Sequence, residues 1–255
     1  MTHRVRPVLS CALIVLTMMA AHRTSIAGDP MEPVRLWIEP GSASAAPGYY
    51  VDEMQLAPRQ LTLGERRRSG VAAQTRIIAR SDTSAVIGVT AVDDSIVTEY
   101  SCFVRLHEGT WKLAAVRTMP YLQEVRARRD ALHAAAERSP EEDSELARLS
   151  LVVGSDDDIR AYVRANKDAL QRIVDLYRAR KVTQALKLAK TIFIVDIDEP
   201  ADTASSRLEL ILGGMHDSVV GILYVPHPED VPAMTPSDMI LVEEVEPTFY
   251  VFRTM

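Results

Sequence analysis

The alternation of hydrophobic and polar positions divides the chain into stretches of different period. Val8 to Ala21 is an almost unbroken apolar run of 14 residues. From Ser84 to Thr118 apolar and polar residues alternate, the period of a half-buried strand. Ser84–Val92, Ser95–His107 and Thr110–Thr118 predict three strands, with Asp93-Asp94 and Glu108-Gly109 as two-residue turns. That register sets Leu106 opposite Trp111, Val104 opposite Leu113 and Cys102 opposite Ala115. It also sets Ala91 opposite Ile96 and Ile87 opposite Tyr100. Strand side chains alternate faces, so Ala85, Ile87, Val89, Ile96, Cys102, Val104, Leu106, Trp111, Leu113 and Ala115 are expected on one apolar face.

After Pro120 the period turns helical. Helices are predicted over Tyr121–Arg138, from Ser139-Pro140-Glu141-Glu142 onward, from Ser155 to about Lys181, and over Thr183–Lys190. Ser155 is the expected N-cap of the long helix, whose first turn carries Asp156, Asp157 and Asp158. Ile159, Tyr162, Val163, Leu170, Ile173, Val174 and Tyr177 make its apolar stripe. Strands return at Ile192–Ile197, Leu208–Leu212, Val219–Val225, Met239–Glu244 and Phe249–Arg253, with Pro226–Pro236 as a loop. Strands, then helices, then strands predict an α+β fold: an antiparallel three-stranded meander, a helical segment and a second antiparallel sheet.

The remaining segments are less regular. Residues 28–50 are rich in Pro, Gly, Ala and Ser and read as a linker. Within them Val34-Arg35-Leu36-Trp37-Ile38 is an apolar island, read as an edge strand or a docking segment. Arg66-Arg67-Arg68 before Ser69-Gly70 reads as the basic end of a short helix. The expected units are 51–119 and 120–255.

The apolar run takes its meaning from its flanks. Arg4 and Arg6 precede it, no acid does, and Ser25 and Ala27 stand at small-residue positions before a cut after Ala27. This is the pattern of a secretory signal over residues 1–27. The rival reading is a membrane anchor, but 14 residues fall short of the roughly 20 that a spanning helix needs. Removal takes three arginines, leaving 26 bases against 35 acids, a net charge of −9. An acidic chain argues against nucleic acid as partner. It would keep one cysteine, Cys102, and therefore no internal disulfide. The excess of arginine over lysine, 24 to 5, fits a GC-rich bacterial genome. The expected location is periplasmic or secreted, with the membrane touched only through the signal.

The run Thr98-Glu99-Tyr100-Ser101-Cys102-Phe103-Val104-Arg105-Leu106-His107-Glu108-Gly109-Thr110-Trp111-Lys112-Leu113 resembles the last hairpin of the cystatin-like, nuclear-transport-factor-two-like cone fold. The resemblance covers about residues 50–118. It implies a curved sheet wrapped on a helix around a pocket. That family includes enzymes, ligand binders and interaction modules, so it assigns no functional residue.

Candidate chemistry is sparse. The chain has no phosphate-binding glycine loop, Gly-x-Ser-x-Gly, His-Glu-x-x-His, Cys-x-x-Cys or Ser-x-x-Lys. Cys102 is expected as a buried thiol. Thr98, Tyr100 and Arg117 are expected on the apolar face of the meander, with Tyr100 opposite Arg117. A phenol and a guanidinium there could hold an anion. Alternatively, Arg117 pairs with an acid such as Asp52, Glu53 or Glu65. His216, after Gly213-Gly214, is either a ligand-binding base or part of a strand-joining turn. No metal or cofactor is expected. The sequence points to an exported, non-enzymatic binding or interaction protein for an unknown small molecule or protein. The alternative is an exported hydrolase or isomerase with an acid–base site near His216 or in the meander pocket.

Overall fold

A computed structural model describes residues 28–39, 46–56, 62–63, 72–93, 96–199, 206–215 and 217–255. The signal, residues 40–45 of the linker, Arg66-Arg67-Arg68 and His216 lie outside the described residues. The fold is α+β, with seven helices and two antiparallel sheets among the described residues.

The first sheet runs β1 (Ala72–Arg80), β2 (Ser84–Asp93), β3 (Ile96–His107) and β4 (Thr110–Arg117) in sequence order. It has four strands where the pattern predicts three. β1 escapes the pattern because it is an edge strand with no fully buried residue, so its sides do not alternate cleanly. Asp93 pairs with Ile96 instead of starting the β2–β3 turn, so Ala91 faces Thr98 and Ile87 faces Cys102. This slip of two residues leaves every side chain on its expected face. The β3–β4 turn lies where expected, with Leu106 opposite Trp111 and Val104 opposite Leu113. A bulge between Phe103 and Val104 then shifts the register by one. Cys102 therefore faces Val116, Phe103 faces Ala115, and Ser101 faces Arg117. Ala115 moves off the inner face, and Ile96 ends half-exposed at the hairpin tip.

The island 34–38 is neither strand nor linker. It forms helix α1 (Glu32–Ile38), with Pro33 in its first turn. Val34 and Trp37 are three apart, so they share one helix face. They pack with Met54 of α2 (Asp52–Leu56), with Tyr50 and Leu63, and with Ile87, Val89, Cys102, Val104, Trp111 and Leu113 of the inner sheet face.

Five helices follow: α3 (Leu122–Ala134), α4 (Pro140–Val152), α5 (Asp156–Ala165), α6 (Lys167–Arg178) and α7 (Val182–Thr191). Ser139 with Glu142, and Ser155 with Asp158, close capping boxes on α4 and α5. The long helix expected over 155–181 divides at Asn166, the chain's one asparagine. Its side-chain amide donates to the Tyr162 carbonyl at 2.9 Å, beside the backbone N–H of Asn166, which donates to the same oxygen at 3.1 Å.

The second sheet has the order β5-β6-β7-β9-β8, from β5 (Asp196–Asp198), β6 (Leu208–Met215), β7 (Ser218–Tyr224), β8 (Met239–Glu246) and β9 (Phe249–Thr254). One face packs under the helices through Leu210, Leu212, Ile222 and Val251. The opposite face carries Leu223, Val242, Tyr250 and Phe252. The aromatic strand β9 is thus buried on both faces, between β7 and β8. The two sheets meet where Val86, Phe103 and Ala115 pack on Ile240, with Met234 from the proline-rich loop beside them. No helix among the described residues is long and apolar enough to cross a membrane.

Candidate functional site

The residues singled out in the sequence do not assemble. Tyr100 lies on the inner face opposite Val89, its ring edge-on to Trp37 at 5.3 Å between centroids. Helix α1 therefore occupies the space in which a ligand was expected. Thr98 sits farther along the same face, opposite Ala91. Arg117 is on the opposite face, because the bulge at Phe103 inverts its side. It forms an ion pair with Glu53 of α2 and donates from Nε to the Pro236 carbonyl at 2.7 Å. Of the two readings of Arg117, the internal acid is the partner. His216 is outside the described residues.

The glycines before His216 have a packing reason. A Cβ on Gly213 would lie 2.8 Å from Arg148 Nη1 and 3.0 Å from Val152 Cγ2, so glycine lets α4 approach β6 closely. Cys102 is fully buried, and burial raises its thiol pKa; this is an inert position.

Two other places carry concentrated chemistry. The first is a cleft of about 410 Å³ between α4 and the segment that leads from α7 into β5. Pro140, Glu141, Ser144 and Arg148 supply one wall, with the last three on a single helical face by their spacing. Lys190, from the last turn of α7, and Phe193, Ile194 and Val195 supply the other. Phe193 adopts a left-handed backbone, φ 67°, which a bulky residue rarely takes. Arg148 lies over Gly213 with Nη1 3.4 Å from the Leu212 carbonyl. Neither Arg148 nor Lys190 makes an ion pair among the described residues. Two cations against the single acid Glu141 leave the lining positive, beside an apolar wall.

The second place is a buried junction of charges between the sheets. Asp156, the first residue of α5, is 4% exposed. Its Oδ2 accepts from Arg76 Nη2 of β1 at 2.7 Å, and its Oδ1 stands 3.0 Å from Arg253 Nη2 of β9. Arg76 also bonds Glu243 of β8 at 3.0 Å, and Arg160 of α5 bonds Glu243 at 2.7 Å and pairs with Asp157. Gly88 leaves room for Arg76, since a Cβ there would lie 3.2 Å from Nη1. Glu99 of β3, 8% exposed, accepts the Asp156 N–H at 3.1 Å on Oε1 and meets Thr90 Oγ1 at 2.7 Å on Oε2. Burial, and then the neighbouring Asp156 carboxylate, push the Glu99 pKa up; Thr90, the Asp156 amide and Arg253 offset only part of this. Burial opposes the charge on Arg76, but its bonds to Glu243 and Asp156 outweigh it and hold the guanidinium protonated more firmly than usual.

Sequence reasoning missed both places. A signal for the junction was present: Arg76, Glu99, Glu243 and Arg253 are charges within strands, and Arg253 directly follows the apolar run Phe249-Tyr250-Val251-Phe252. The cleft left no such mark, because its residues fall into two segments about 50 positions apart that also serve as ordinary helix surface. Comparison with known protein families, curated proteins and solved structures found no match.

Proposed function

We propose that the protein is an exported, non-enzymatic binding protein that takes a small organic anion in the cleft between α4 and the α7–β5 segment. The observation that carries this reading is the pairing of two cations, Arg148 and Lys190, with an apolar wall of Phe193, Ile194 and Val195. The cleft volume, about 410 Å³, falls in the range of small-molecule sites. Its lining, with one acid beside two bases, favours a single negative charge over a neutral or cationic ligand. An apolar body on the ligand would cover Val195, which is 42% exposed although hydrophobic. Export rests on the basic start, the short apolar run and the Ser25/Ala27 spacing.

Thermal unfolding with decanoate, benzoate and uncharged decanol tests the reading. A ligand at 100 times its Kd adds about 2.7 kcal/mol to the native state. Decanoate or benzoate should raise Tm, decanol should not, and Arg148→Met with Lys190→Met should abolish the rise. A rise that persists in the double variant, or no rise with either anion, refutes the cleft as an anion site.

A further inference from the structure

Glu99 differs from the other carboxylates of the junction. Asp156, Asp157 and Glu243 each stand within ion-pair distance of an arginine. Glu99 has no such partner among the described residues, and its neighbour through the Asp156 amide is another acid. Thr90 of β2, Asp156 of α5 and Arg253 of β9 act on it directly, and beyond Asp156 the junction continues through Arg76 of β1, Glu243 of β8, and Arg160 and Asp157 of α5. Arg126 of α3 closes the periphery, donating to the Val97 carbonyl next along β3 and feeling the field of Arg253.

The two hydrogen bonds of Glu99 suit either protonation state. When ionised, it accepts from the Thr90 hydroxyl and from the Asp156 amide. When protonated on Oε2, it donates to Thr90 Oγ1 and still accepts the amide on Oε1. A hydroxyl both donates and accepts, so the proton can come and go with no side chain moving. What changes is the electrostatics. The ionised form sets two desolvated carboxylates against each other across the seam that joins β2 and β3 to α5 and β9.

We propose that Glu99 is the proton-binding member of a latch between the two sheets. With its proton the seat of α5 on β3 is closed, and loss of that proton as pH rises loosens it. The direction follows from linkage. A carboxyl whose pKa is raised by folding binds more protons in the native state than in the unfolded one. Its contribution to stability is full below the ordinary glutamate value and declines as pH rises through the raised value.

The test uses the whole protein. Carbon-13 NMR follows the Glu99 carboxyl through a pH titration, and hydrogen exchange follows the Asp156 amide, corrected for base catalysis. The Glu99 midpoint should lie above the ordinary value of about 4.3. Opening at the Asp156 amide should increase tenfold for each pH unit separating that midpoint from the ordinary value. Glu99→Gln keeps a donor for Thr90 and an acceptor for the amide, so its opening should not vary with pH. A Glu99 midpoint at or below 4.3 in the unaltered protein overturns the latch, whatever the variant does. So does equal pH dependence of the amide in the variant and the parent.

Discussion

Removing the Asp156 carboxylate should be among the costliest single changes in the protein. Asp156 is 4% exposed and its two oxygens serve two arginines, at 2.7 Å and 3.0 Å. In Asp156→Ala, Arg76 keeps Glu243, but Arg253 loses its ion pair and is left with the Gly154 carbonyl at 3.4 Å. Arg253 is itself 4% exposed, so water cannot replace the lost partner. Breaking a buried pair from one side costs about 3–5 kcal/mol, mostly for the charge left behind. Taking both partners away, in Asp156→Ala with Arg253→Met, removes that stranded charge, so the double variant should be more stable than Asp156→Ala alone. Arg105 and Asp52 form the control pair; both are about half-exposed, so Asp52→Ala should cost only about 0–1 kcal/mol. Urea unfolding measures all three, with an unchanged slope certifying that stability alone has moved. If Asp156→Ala costs no more than Asp52→Ala, or if the double variant is the less stable one, the junction is not the buried ionic seam described above.

Arg117→Met should cost about 1–2 kcal/mol, less than Asp156→Ala, because Glu53 is more than half-exposed and only the Pro236 carbonyl bond is sheltered; chemical denaturation gives the figure. Trp37→Ala should cost about 3–5 kcal/mol, since its ring is 3% exposed and fills the face beside Tyr100. A near-neutral result by thermal unfolding would mean that α1 is not seated on the sheet.

The first sheet separates two kinds of register error. Misplacing the β2–β3 turn by one residue on each strand slides the pairing by two, and two is the period of a strand. Every face assignment across β2 and β3 therefore survives although no pairing in that ladder does. The bulge at Phe103 slides the pairing by one, and one is enough to move Ala115 and Arg117 to the other face. A bulge has no strong signature here: no glycine or proline stands near Phe103, and both strands stay rich in β-branched and aromatic residues. Helix α1 was lost for a related reason. Five residues hold less than one and a half helical turns, too few for a period of 3.6 to differ from a period of two.

The capping boxes were legible because a cap is local, with Ser139 and Glu142, or Ser155 and Asp158, within three positions of each other. The junction is the opposite case. Its members are drawn from positions 76 to 253, and no spacing rule connects them. What can be read in sequence is an unmet need: a charge inside an apolar strand must find a partner or lose its charge. Arg253, between Phe252 and Thr254, states that need, and so does Glu99, between Thr98 and Tyr100. The same need at Arg117 is met by Glu53, one of the three acids that the sequence offered, although its face was misassigned. For Glu99 the sequence poses the need without naming the answer. The fold meets the requirement of Arg253 with Asp156, and among the described residues it leaves Glu99 with a threonine, an amide and no arginine in ion-pair contact, which is why the proton rather than a counter-ion is the expected remedy.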